Sequence, residues 1–183
     1  MAMKTIQLNL YPFAELKGNA RENAINEHRS INVETNWWQF LYEDAEMSGL
    51  KIKGFDLDRA FYCNADFIED AIKTAGLILE NHGEPTDTYQ LALTFTKGRD
   101  ELVQTWPKDT DGEFKDVDDL DLYIDRIEEK FLEIISSEYL KMLLKEYDYL
   151  ISDTQVSETL TANEYLFTAD GKIANALEKL AQA

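Results

Sequence analysis

The strongest constraint in this sequence is an apolar repeat between Leu120 and Ile135. Its members recur mostly at steps of three and four residues, which is the period of one face of an α-helix. Such a stripe must pack against other elements, so the repeat predicts a helix that belongs to a folded core. A second helix is expected to follow, beginning at Ser136 or Ser137. The stripe consists of Leu120, Tyr123, Ile124, Ile127, Phe131, Ile134 and Ile135.

Capping residues and apolar spacing predict further helices. Asn19 is expected to cap a helix that extends to about Ser30, and Asp66 one that extends to about Asn81. Residues 88–97 alternate as a strand would, but we favour a helix that continues to Trp106, because RDELV contains strong helix formers. Another predicted helix is WWQFLYEDAEMSGL, which is capped by Thr35 or Asn36 and ends at the stop signal Gly49. A short helix is expected to be capped by Asp153 or Thr154 and to extend to Thr161. The tail ANALEKLAQA is also predicted to be helical.

Alternation of apolar and polar residues predicts a few short strands. The first covers residues 3–10 and is closed by Pro12, two more lie in KIKGFDLDRAFYCN, and the last covers residues 165–167. The sequence has no internal repeats, Ser/Gly linkers or low-complexity runs that would mark a domain boundary. We therefore expect residues 1–183 to form a single helix-rich α+β domain with a small antiparallel sheet.

The composition narrows the class of partners. The chain has 36 acidic and 18 basic residues and a net charge of -18, which repels nucleic acids and anionic membranes. Its 44% of hydrophobic residues exceeds what an acidic disordered tail contains. It has no apolar run long enough to span a bilayer, and its N-terminus lacks the cleavage site of a signal peptide. Cys63 is the only cysteine, so we expect no internal disulfide and a reducing cytoplasm.

The acidic residues are concentrated just before and within the apolar repeat. The segment from Asp109 to Glu129 contains ten acids and two bases. On a helix, the acids of its second half lie opposite the apolar stripe at intervals of about 4.5–6 Å, which is of the same order as the ~3.4 Å spacing of phosphates along one DNA strand. This pattern predicts a surface that binds a basic groove, and the alternative is a face that is only solvated. The predicted partner-binding residues are Asp109, Asp111, Glu113, Asp116, Asp118, Asp121, Asp125, Glu128 and Glu129.

Motifs that would indicate catalysis or metal binding are incomplete. Asp109, Asp111 and Glu113 resemble the start of a calcium loop, but that motif requires Gly and Glu where this chain has Phe114 and Leu120. The two histidines and the single cysteine lack the spacing of a zinc site, and no glycine-rich phosphate-binding motif occurs. The sequence therefore predicts no catalytic residues, no metal and no cofactor.

Two stretches of the sequence resemble a known family. They are INVETNWWQFLYEDAEMSGLKIKGFDLDRAFYCN and KEYDYLISDTQVSETLTANEYLFTADGKI, which together cover about a third of the chain. The paired Trp, YEDA, FDLDRAFY and the DGK turn are similar to those of uncharacterised proteins encoded by phages, prophages and plasmids, some of which are labelled antitoxin-like. The resemblance implies an origin in a mobile element and a bacterial cytoplasm, and it implies no catalytic residues.

Three classes of function are compatible with these features. The leading hypothesis is a non-enzymatic counter-defence inhibitor that binds a CRISPR effector or a restriction nuclease through an acidic, nucleic-acid-mimicking surface. The alternative is an antitoxin or another protein-binding module that acts through an apolar patch. An enzyme would require Cys63, a histidine and a carboxylate to meet in a pocket. The apolar patch would consist of Trp37 and Trp38, which are otherwise expected to pack in the core, together with Leu122 and Leu132.

Overall fold

The computed structural model describes residues 8–174. Within this range the protein has six α-helices and four short antiparallel strands, which confirms the predicted helix-rich α+β class. Most of the predicted strand 3–10 and of the predicted C-terminal helix lie outside the described residues. The described chain forms two compact units, one from the residues up to Trp37 together with those from Glu146 onwards, and the other from Trp38–Lys145. The boundary near residue 145 falls inside a helix, and the single domain stays a prediction.

The first unit is built around a cluster of buried apolar residues. Strand β1 (Tyr11–Pro12) pairs antiparallel with β4 (Leu166–Phe167), and a 3₁₀ turn at Phe13–Glu15 follows β1. Helices α1 (Asn19–Glu27) and α6 (Asp153–Ala162) each bury one apolar face in the same cluster. The core of this unit consists of Phe13, Leu16, Ala24, Ile25, Val156, Leu160 and Phe167.

The second unit combines a β-hairpin with helices. Helix α2 (Gln39–Met47) precedes the hairpin, in which β2 (Leu50–Asp56) pairs antiparallel with β3 (Tyr62–Phe67). Helices α3 (Ala71–Asn81) and α4 (Asp87–Thr105) follow. Two strands are present in this region as predicted, but the second begins only at Tyr62 and extends beyond the predicted segment to Phe67. The helix favoured for residues 88–97 is confirmed. Tertiary packing decides the second case, because the buried side chains of α4 are Thr88, Ala92 and Phe95, which are spaced by four and three residues as on one face of a helix.

Helix α5 (Val117–Leu150) is continuous over 34 residues and belongs to the second unit as far as residue 145. The predicted start of a new helix at Ser136 or Ser137 is therefore wrong. Serine costs an α-helix little, and an unbroken series of buried side chains four residues apart carries the helix through this point. That series consists of Phe131, Ile135, Tyr139 and Leu143.

The start of α3 differs from the prediction because two aspartates compete as caps. Asp66 lies in β3 opposite Lys51, and the helix that it was expected to cap begins at Ala71. Asp70 caps this helix instead, since its carboxylate accepts a hydrogen bond of 2.7 Å from the amide of Lys73. The pairing of β2 with β3 decides between them, and a local sequence pattern does not contain that information.

Other element ends differ by a few residues. Gly18 rather than Asn19 occupies the cap position of α1, and the helix ends at Glu27 instead of Ser30. Residues 8–10 of the predicted first strand are not in a strand, because the pairing with β4 involves the two residues that follow.

Two further caps also lie apart from their predicted positions. Helix α2 begins after the predicted caps Thr35 and Asn36, and Trp38 precedes its first residue. Gly49 follows the end of this helix with a φ of +81°, as expected of a glycine stop signal. Ser152 caps α6 in place of Asp153 or Thr154, through a hydrogen bond from a backbone amide to its hydroxyl.

Candidate partner-binding surface

The acidic segment begins in an ordered turn between α4 and α5. Asp109 organises this turn, because its Oδ1 accepts hydrogen bonds of 2.9 Å from the amides of Asp111 and Glu113. Lys108 and Phe114 form an isolated β-bridge across the turn. The carboxylate of Asp109 is therefore part of the turn, whereas Asp111 and Glu113 expose theirs without such a role.

Asp116 connects this turn to α5. Its φ is +48°, a left-handed conformation in which Asp is enriched among non-glycine residues. Its carbonyl accepts hydrogen bonds of 3.0 Å and 3.1 Å from the amides of Asp119 and Leu120, which begin the helix. Asp118 lies in the first turn of α5, where a negative charge is favourable beside the helix N-terminus. Asp116 and Asp118 are exposed, but they also contribute to the start of the helix.

Three acids form a continuous line along α5, which we call the acidic stripe: Asp121, Asp125 and Glu129. They are four residues apart, so successive members are separated by about 6 Å along the helix axis. All three are exposed, and none forms an ion pair with a described lysine or arginine. Like charges at this spacing repel by a few tenths of a kcal/mol per pair. The helix therefore carries the stripe at a small cost in stability.

Glu128 departs from the sequence prediction, because it is half-buried whereas the other predicted acids are exposed. It lies seven residues after Asp121 and thus only about 20° from it around the helix, but its Oε1 lies 3.5 Å from Nε of Arg99 on α4. The two side chains are only 26% and 23% exposed. Nε of Arg99 has no hydrogen-bond acceptor among the described residues, so the contact is an ion pair without a formed hydrogen bond. The exposed acids are Asp109, Asp111, Glu113, Asp116, Asp118, Asp121, Asp125 and Glu129.

We expect Glu128→Gln to lower the free energy of unfolding by about 1 kcal/mol, because it removes the charge that faces Arg99 in a partly buried site. The matched control is Glu129→Gln on the exposed face, which should change stability by less than about 0.5 kcal/mol. Urea unfolding of both variants measures the difference. Equal effects would contradict a structural role for Glu128.

The residues of the alternative apolar patch have different environments. In the first unit, Trp37 packs against Tyr147 with ring centroids 5.7 Å apart. In the second unit, Trp38 packs edge-on against Phe55 at 5.7 Å. Both tryptophans are half-buried, and Leu132 is half-buried in a cleft beside the hairpin. Only Leu122, at 46% exposure, presents a large apolar side chain to solvent among these four residues.

Cys63 lies in β3 and is buried, and this burial raises the pKa of its thiol to about 11. Because the thiolate is the reactive form of cysteine, the Cys63 thiol is a poor nucleophile at neutral pH. The described residues that line the cleft next to it include the charged Lys53, Asp66, Glu129 and Glu133 but no histidine. Among the described residues, no group of three His, Cys, Asp or Glu side chains could hold a metal ion.

Sequence reasoning missed a polar cluster around His82 in the second unit. Its Nε2 lies 2.9 Å from Oγ of Ser48 and 3.6 Å from Asp44, and its Nδ1 lies 2.6 Å from Oγ1 of Thr88. Tyr139 donates a hydrogen bond of 2.8 Å to Asp44, and burial raises the pKa of this phenol well above its usual range. Ser48 is fully buried and cannot reach a substrate. The cluster therefore ties α2, α4 and α5 together through satisfied hydrogen bonds.

Comparison of the chain with protein-family models, with curated proteins and with solved structures gives no match. Within residues 8–174, none of the helices combines the length and the apolar character needed to cross a membrane.

Proposed function

We propose that this protein is a non-enzymatic counter-defence inhibitor, which binds a nucleic-acid-handling bacterial immune complex through its acidic surface. The target class is a CRISPR effector or a restriction nuclease with a basic groove. The observation that carries the proposal is the acidic stripe, whose three carboxylates are exposed and have no cationic partner among the described residues. The resemblance to proteins of phages and plasmids supports the same context.

The physical argument is electrostatic. A groove that binds nucleic acid presents Lys and Arg side chains to phosphates, and carboxylates about 6 Å apart on a rigid helix can contact the same cations. The net charge of -18 adds a long-range attraction that speeds association with a basic target. Both effects are screened by salt, because the Debye length falls from about 8 Å at 0.15 M to about 3 Å at 1 M. Binding should therefore weaken steeply as salt is added.

The test is inhibition of DNA cleavage by purified CRISPR effectors and restriction nucleases, measured with and without reversal of the stripe. The reversed variant carries Asp121→Lys, Asp125→Lys and Glu129→Lys. We expect its half-inhibitory concentration to rise at least tenfold, which corresponds to about 1.4 kcal/mol of binding free energy. These positions avoid the first turn of α5, where a positive charge would also oppose the helix dipole.

A matched control separates the stripe from bulk charge. The control carries Glu46→Lys, Glu69→Lys and Glu80→Lys, three exposed positions elsewhere in the second unit. Each reversal changes the charge by two, so both triple variants go from -18 to -12. The control should inhibit within twofold of the wild type. Equal loss in both variants, or no loss in either, would contradict recognition through the stripe, as would a target retained unchanged at 1 M salt.

A further inference from the structure

The second unit contains an apolar groove that the proposed function does not use. It lies between α4 and α5 and has a volume of about 460 Å³, within the range of roughly 300–1,000 Å³ that is typical of small-molecule sites. Leu91 and Phe95 of α4 and Ile127 and Ile134 of α5 contribute to its lining. Leu91, Ile127 and Ile134 are only half-buried, so the described residues leave apolar surface open to solvent here.

Gly98 widens this groove. It lies inside α4, seven residues before the helix ends at Thr105, where glycine is less favourable than alanine because of its larger loss of backbone entropy. A Cβ atom at this position would meet nothing within 4 Å, so no close backbone approach requires the glycine. The missing side chain leaves the helix backbone bare on the groove wall and gives room to an occupant.

Among the described residues that line the groove, the two charged ones are Arg126 and Lys130, and both are basic although the chain has a net charge of -18. The guanidinium of Arg126 lies 5.7 Å from the ring centroid of Tyr123, and it forms no ion pair with a described carboxylate. Nζ of Lys130 lies 2.7 Å from Glu133, but both side chains are more than half exposed, so this ion pair contributes little and can be exchanged. The groove therefore complements an apolar molecule with one anionic group.

We propose that the groove binds a fatty carboxylate, with its acyl chain between α4 and α5 and its head group at Arg126 and Lys130. From Arg126, at the head group, to Ile134 the lining on α5 covers about 12 Å of helix rise, so an extended chain of about nine carbons lies within the groove and the last carbons of a twelve-carbon chain extend beyond Ile134. A small ligand needs only the groove itself, whereas a stable interface with a second copy would need about 800 Å² per partner and thus much surface outside the groove. A small amphiphile is the occupant that fits its size and charge.

The probe is sodium laurate, titrated into the full chain below its micelle concentration and followed by calorimetry. We expect one saturable site. We also expect 1-dodecanol, which has the same chain without the charge, to compete at least fivefold more weakly. Replacing both basic residues, as Arg126→Gln with Lys130→Gln, should weaken laurate at least fivefold and remove this preference.

The groove itself is tested with Gly98→Leu, which fills the open space on α4 and should reduce laurate affinity at least tenfold. The control is Gly76→Leu on α3, another helical glycine whose Cβ would meet nothing within 4 Å. It should bind laurate like the wild type, and circular dichroism should show that both variants keep their helices.

Four outcomes would overturn the proposal. They are no saturable laurate binding, equal binding by Gly98→Leu, equal affinity for laurate and dodecanol, and a concentration-dependent dimer that Gly98→Leu dissociates without any laurate binding. The last would assign the groove to a second copy of the chain. The inference does not rest on the proposed function, because the acidic stripe is intact in these variants and nuclease inhibition is measured separately.

Discussion

Replacing Gly171 by alanine is expected to lower the free energy of unfolding by about 3–5 kcal/mol. Gly171 is buried in the first unit with a φ of +88°, and a Cβ atom there would overlap the carbonyl oxygen of Ala20 and lie 2.9 Å from its carbonyl carbon. These atoms belong to the backbone of α1, so no change of rotamer relieves the overlap. The turn after β4 and the helix would have to move apart, and the small core of this unit would open.

Gly112→Ala is the matched control for this prediction. Gly112 has the same φ of +88°, but a Cβ atom there would meet nothing within 4 Å. This substitution should lower the free energy of unfolding by only about 1–2 kcal/mol, because a non-glycine residue must then adopt the left-handed conformation. Urea unfolding of both variants isolates the contribution of the overlap. If Gly171→Ala were no less stable than Gly112→Ala, the close approach of the turn to α1 would be disproved.

Gly171 shows which features the sequence can predict and which it cannot. The DGK turn at Gly171 was predictable, because turn chemistry depends on neighbouring residues. The contact with Ala20 was not, because the two residues are far apart in the chain. The same limit explains the exchange of caps at Asp66 and Asp70. Either aspartate could cap a helix by its local sequence, but the pairing of β2 with β3 places Asp66 in a strand, so that only Asp70 can cap α3.

The candidate partner-binding surface also has one feature that the sequence predicts and one that it does not. The exposure of the acidic stripe follows from helical periodicity alone, so the sequence predicts it correctly. The ion pair of Glu128 depends on the position of α4, which brings Arg99 to the helix, and no spacing within α5 reveals it. The sequence does not predict the groove, for a related reason. Gly98 looks only like a weak point in a predicted helix until α4 and α5 are placed together.

The continuity of α5 gives the other large expected effect. Ser137→Pro should lower the free energy of unfolding by about 3 kcal/mol or more, because proline inside a helix removes one backbone hydrogen bond and collides with the carbonyl four residues earlier. Ser137 is exposed, so no packing is lost with its side chain. The prediction that a new helix begins at Ser136 or Ser137 leads to the opposite result, in which the proline is tolerated. If a new helix began there, Ser136 would be its cap and proline would occupy the first helical position, where it is favoured.

Ser137→Ala isolates the effect of the proline ring, since it removes the same hydroxyl but suits a helix interior. It should change stability by less than about 0.5 kcal/mol, in the stabilising direction. Urea unfolding monitored by helical circular dichroism compares the two variants directly. A Ser137→Pro variant as stable as Ser137→Ala would mean that the chain breaks at this point after all. The series from Phe131 to Leu143 would then belong to two helices, and α5 would not be continuous over its 34 residues.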